Sequence, residues 1–88
     1  RAKMIRRIGM PLGTQVGFEF ERRGVRIFAV WDREAVRGAV GRAWRVPLPA
    51  GRRAVLTDIQ GAERTLLPDA EGMVTVFPAR DVQYLRFE

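Results

Sequence analysis

The chain has 88 residues, 47% of them apolar, and its fifteen arginines and one lysine outnumber ten carboxylates to leave a net charge of +6. With no cysteine and no histidine, disulfides, thiol nucleophiles, imidazole bases and the usual zinc ligands are excluded. A chain this short buries only about 60–65% of the surface its unfolded form exposes, enough for one domain with one modest core, and no apolar run approaches the roughly 18 residues of a membrane span, so a soluble domain with no membrane partner is expected.

The first residue is Arg1 rather than Met, which suggests a trimmed or excised piece and leaves the compartment open. Met4, Ile5 and Ile8 fall at i, i+1 and i+4 with basic residues between them. That spacing predicts a turn or two of amphipathic helix over residues 1–9, stopped by Gly9 and Pro11 and too short to stand alone. It reads as the tail of a preceding helix.

From Thr14 the period becomes two. Val16, Phe18 and Phe20 alternate with Gly17, Glu19 and Glu21, which predicts a half-buried strand with its charged face outward. Arg22-Arg23-Gly24 is a hairpin turn, and the return strand Val25 to Trp31 is apolar on both faces beyond Arg26, as a covered central strand would be. Residues 32–41 read as a loop with partial extended character, because Gly38 and Gly41 would each cost about 1 kcal/mol inside a helix. Trp44, Val46 and Leu48 then alternate with Arg45 and Pro47. Since proline cannot donate to a ladder, this is expected to be an edge strand.

Arg53 to Asp58 and Glu63 to Leu67 form two strands around a tight turn at Gln60-Gly61. Pro68-Asp69-Ala70-Glu71-Gly72 is a second turn, and Met73 to Phe77 and Val82 to Phe87 close the chain as strands. Asp58 and Asp69 are assigned to these turns rather than to catalysis. The expectation is an all-β fold, a small antiparallel β-sandwich of about seven strands with a short N-terminal helical remnant, spanning residues 1–88 as a single domain.

The ordered set Phe28-Ala29-Val30-Trp31, Pro47-Leu48-Pro49, Val55-Leu56-Thr57-Asp58-Ile59-Gln60-Gly61, Leu66-Leu67-Pro68-Asp69-Ala70-Glu71-Gly72-Met73-Val74-Thr75-Val76 and Val82-Gln83-Tyr84-Leu85 resembles the small β-sandwich domain at the C-terminus of many bacterial glycoside hydrolases. The resemblance covers residues 16 to 87, and the segment Arg33 to Arg42 departs from it, being longer and more basic. It implies a non-catalytic accessory domain packed against a catalytic (β/α)8 barrel of the same enzyme. The catalytic carboxylates of that family sit on barrel strands, so none carries over.

The residues themselves point the same way. Carboxylates, Lys3, four threonine hydroxyls and Tyr84 are a thin inventory for chemistry. The chain alone is not expected to be an enzyme, and no catalytic, cofactor-binding or metal-binding residue is assigned. An accessory domain needs an apolar contact face, for which Met4, Ile5, Ile8, Phe18 and Phe20 are the candidates. Two other readings remain: a carbohydrate-binding module stacking sugar on Trp44 or Trp31, and a small basic nucleic-acid-binding barrel. Nucleic acid is disfavoured as a partner because the arginines are scattered in pairs, Arg6-Arg7, Arg22-Arg23 and Arg52-Arg53, instead of lining one face.

Overall fold

Among the described residues, period-two alternation punctuated by Gly, Pro and Asp turns yields eight strands: β1 (Lys3–Arg7), β2 (Gln15–Arg22), β3 (Val25–Asp32), β4 (Trp44–Pro47), β5 (Ala54–Thr57), β6 (Glu63–Leu66), β7 (Met73–Val76) and β8 (Gln83–Phe87). They are seen in a computed structural model that describes residues 2–35 and 42–88. Six strands form one sheet in the order β1-β2-β3-β8-β5-β6, and β4 pairs with β7 in a second. Every pairing is antiparallel. The loop expected over residues 32–41 falls partly outside the described residues, as do Gly38 and Gly41.

The two sheets face each other across one core. Phe28 and Val30 of β3, Ala54 and Leu56 of β5 and Leu85 and Phe87 of β8 meet Trp44 and Val46 of β4 and Val74 and Val76 of β7. Phe28 stands edge-on to both Trp44 and Phe87, with ring centroids 5.6 and 5.3 Å apart, an arrangement aromatic quadrupoles favour. The chain is thus an all-β sandwich of unequal sheets, and among the described residues there is no helix.

The N-terminal helical turn expected from sequence is instead strand β1, which raises the count to eight. An isolated helical turn has four unsatisfied donors and little to bury, whereas the free edge of β2 offers backbone partners along its length. Lys3 to Arg7 take them, in a register that slips by one residue between Met4 and Arg6. Beyond β1, Ile8 donates its N–H to the Gly17 carbonyl and lies against the core with Met10.

A second difference concerns β2. Its Val16, Phe18 and Phe20 were expected to point inward, but they pair with Trp31, Ala29 and Ile27, the residues of β3 that alternate with core-facing Phe28 and Val30. They therefore share the outer face of the large sheet. Gly17 and Glu19 point to the inner side, outside the apolar cluster that the two sheets share. Ile8 and Met10 cover Gly17 so closely that a Cβ there would lie 2.6 Å from the Ile8 side chain. Glu19 is covered by Arg6 and Arg26.

The turns are built as the sequence suggests. Arg23 and Gly24 both take positive φ, 51° and 79°, the two-residue turn that matches the twist of a hairpin. Two Asp-x-x-Gly loops repeat one design. Asp58 Oδ1 accepts the N–H groups of Gln60 and Ala62, Asp69 Oδ1 accepts those of Glu71 and Met73, and in each loop the glycine, at positive φ, donates back to the Asp carbonyl. A carboxylate at the first position thus satisfies backbone donors that the tight turn leaves without ladder partners.

Leu85 has no exposed surface and Leu67 is 83% exposed. Leu85→Ala should therefore cost about 2–5 kcal/mol in urea denaturation, and Leu67→Ala no more than about 0.5 kcal/mol. Equal effects of the two would contradict the assignment of the core.

Candidate docking surface

The outer face of the six-stranded sheet follows from the registers. Phe18, Ala29, Tyr84 and Thr57 form one row across β2, β3, β8 and β5. Phe20, Ile27, Arg86 and Val55 form the next, with Met4 continuing it onto β1. Val16 and Trp31 lie beyond on the other side. The β1, β2, β3 and β8 part of this face is apolar and only half covered: Met4 is 57% and Tyr84 42% exposed, and Phe18, Phe20, Ile27 and Trp31 are half-buried. Phe18 and Trp31 lean on each other with centroids 5.9 Å apart.

Within this face runs an open groove of ≈510 Å3 lined by the apolar Phe18, Phe20, Ala29, Trp31, Val82 and Tyr84 together with Ile59, Arg80 and Asp81. Ala29 makes the trough. It is a short side chain set between the larger Phe18 and Tyr84 on the neighbouring strands. Toward β5 and β6 the face becomes polar. There Arg86 donates to Glu63 Oε2 at 2.8 Å, to the Thr57 hydroxyl at 3.2 Å and to Glu88 Oε2 at 2.8 Å. Hydrogen bonds from Arg86 hold the Glu63 carboxyl below its ordinary range, and those same bonds raise the pKa of Arg86. Arg53 and then Arg86 likewise depress the Glu88 pKa.

Each candidate residue has a definite place. Met4, Phe18 and Phe20 lie together on the outer face, and Ile5 sits at the register slip of β1, 48% exposed. Ile8 does not join them, because it packs against the core cluster from the other side of the sheet. Trp31 borders the groove. Trp44, taken from sequence as a possible sugar platform, is only 7% exposed and edge-on to Phe28 in the core, so it offers no open ring face. Its strand is an edge in hydrogen bonding, but its alternation turns Trp44 and Val46 inward while Arg45 and Pro47 stay exposed. Sequence reading missed Ala29 and Tyr84 as groove residues. The signal for them is cross-strand register, which links residues from distant parts of the chain.

Among the described residues, the acidic side chains do not gather into a second site. Asp58 and Asp69 sit at opposite ends of β6, each with a carboxylate oxygen committed to its own loop. The backbone N–H of Met73 and the Arg45 guanidinium keep Asp69 ionised well below the usual carboxylate range. Among the described residues, no group of three or more His, Cys, Asp or Glu side chains is placed to hold a metal ion.

The strand that carries Met4 is fastened by charge. Glu19, only 6% exposed, receives the Nε–H of Arg6 at 2.9 Å on one oxygen and that of Arg26 at 2.7 Å on the other. Arg26 also lies over the Phe28 and Phe87 rings at 5.2 and 5.8 Å, so it binds the ion pair to the core. Burial alone would raise the Glu19 pKa, but the two guanidinium hydrogen bonds outweigh it and hold the carboxyl below its ordinary value.

No family model, no curated protein and no solved structure matches this chain.

A depressed folded-state pKa means that Glu19 contributes stability above its unfolded value near 4.5, and that this contribution is lost as pH falls through the lower folded value. Glu19→Gln should thus cost roughly 1–2 kcal/mol at neutral pH, discounted because both arginines are solvent-screened. Its stability should also fall less steeply in acid, where the depressed carboxyls of Glu63, Asp69 and Glu88 still supply sensitivity. Wild-type stability of Glu19→Gln at neutral pH would show that the pair contributes nothing.

Proposed function

We propose that this chain is a non-catalytic accessory domain that docks through the outer face of its six-stranded sheet onto another protein domain. The observation that carries the reading is the contiguous half-open apolar face of Met4, Phe18, Phe20, Ile27, Trp31 and Tyr84. A face of this kind, rimmed by charge, is the usual mark of an interaction surface. The assignment of the partner as the catalytic (β/α)8 barrel of a carbohydrate-active enzyme rests on the ordered turn motifs in the sequence, Thr57-Asp58-Ile59-Gln60-Gly61 and Pro68-Asp69-Ala70-Glu71-Gly72-Met73-Val74-Thr75 above all.

Phe18, Trp31 and Tyr84 along the groove also favour a second reading, the stacking of a sugar ring. Arg80 and Asp81 are the charged groups among the lining residues, and a sugar needs more hydrogen-bonding partners than this, so docking is the better supported reading. Binding of nucleic acid is weakened further by the ion pairs that occupy Arg6, Arg26, Arg45, Arg53 and Arg86.

Hydroxyl-radical footprinting of the protein encoded by the complete gene tests the reading. Met4, Trp31 and Tyr84 should be protected, while Leu67 and Phe77, which lie off this face and are 83% and 46% exposed, stay reactive. Oxidation of Tyr84 as fast as its open position allows would reject the docked face, and a complete gene without a barrel would reject the carbohydrate-enzyme context.

A further inference from the structure

Resting on the docking reading above, the shape and charge of the groove also define what it takes. We propose that it receives the apolar ridge of an amphipathic helix whose flanks carry carboxylates, belonging to the partner domain.

Shape comes first. Phe18 on β2 and Tyr84 on β8 stand directly across from Ala29 on the strand between them. Two strand spacings, roughly 9–10 Å between backbones, separate the walls; the wall side chains narrow that gap, so it admits a row of side chains and leaves the body of a helix, about 10–12 Å across, resting above it. A helix lying along β3 would set one ridge of residues at i, i+3, i+4 and i+7 over Ala29. At ≈510 Å3 the groove is larger than any single side chain, so it accommodates a short ridge and not one knob. An added β-strand is a poorer occupant, since it would need the backbone edge of β1 or β6 and would leave this face open.

Charge selects among apolar partners. Among the described residues, Arg7, Arg22 and Arg80 form no ion pair. Arg7 pairs with Phe18 and Arg22 with Val25 on the outer face, and Arg80 borders the groove. Cations thus stand beside the groove and at both of its ends. The facing carboxylates are Asp81, beside Arg80, and Glu63 and Glu88, both already paired with Arg86. A second copy of this chain would bring a net charge of +6 and the same arginines against their equals. An anionic lipid surface would match the charge but not the form, because the apolar groups line a concavity and do not protrude.

The test uses the 88-residue chain and two synthetic helical peptides, each roughly 14 residues long. Both carry a leucine ridge, flanked by Glu in one and by Lys in the other, and binding is read from Trp31 emission. The Glu-flanked peptide should shift that emission. Its affinity should fall about tenfold or more when Arg22→Glu and Arg80→Glu are combined, two surface changes that leave the core untouched, and also in Ala29→Leu, which fills the trough. Equal or tighter binding of the Lys-flanked peptide, binding to phosphatidylglycerol vesicles but to neither peptide, or no Trp31 response at millimolar Glu-flanked peptide would each overturn the proposal. If the footprint of the complete gene product shows Trp31 and Tyr84 protected while the peptide fails to bind, docking stands and the helical occupant is wrong.

Discussion

Phe28 is the side chain on which the two sheets agree. It is 1% exposed and meets Trp44 from the small sheet and Phe87 from its own. Because strand side chains alternate, pointing Phe28 inward forces Ile27, Ala29 and Trp31 outward. The pairing of β3 with β2 and β8 passes the choice on, so Phe18, Phe20 and Tyr84 must also face out. A slip of one residue would exchange the faces and put Arg26 and Asp32 where solvent lies now. The buried core and the half-open apolar surface are therefore two sides of one packing decision.

Most of the strand plan was legible in the sequence, because alternation and turn chemistry are local. Arg23-Gly24 and the two Asp-x-x-Gly loops declare their turns through residue types that tolerate positive φ or cap a backbone. What was not legible depends on distant chain. The Val16, Phe18 and Phe20 face of β2 reads as the core side, and only its register with β3, whose Phe28 and Val30 take the inner side, turns Gly17 and Glu19 inward instead. At the N-terminus the register slip between Met4 and Arg6 breaks the alternation, which left Met4, Ile5 and Ile8 at a spacing that imitates a helix.

The candidate surface was legible in part. Met4, Phe18 and Phe20 stand out as apolar residues with nowhere certain to go, but the groove needs Ala29 between Phe18 and Tyr84, a juxtaposition created by register alone. Trp44, open from sequence to either core packing or a sugar contact, shows the converse. Its neighbours Arg45 and Pro47 mark an exposed edge, yet an edge in hydrogen bonding can still bury every second side chain. The arginine excess likewise sorts only in three dimensions: Arg6, Arg26, Arg45, Arg53 and Arg86 are absorbed in ion pairs, and of the described arginines outside such pairs Arg7, Arg22 and Arg80 stand around the apolar face.

The two tryptophans fall on opposite sides of the large sheet and so report its orientation directly. Acrylamide quenching of the single-tryptophan chains Trp44→Phe and Trp31→Phe separates their signals. Emission from Trp31 should be readily quenched in the isolated chain, and emission from Trp44 should be blue-shifted and shielded. A shielded Trp31 beside an accessible Trp44 would mean that the sheet faces the other way, and that the apolar face described here is the core.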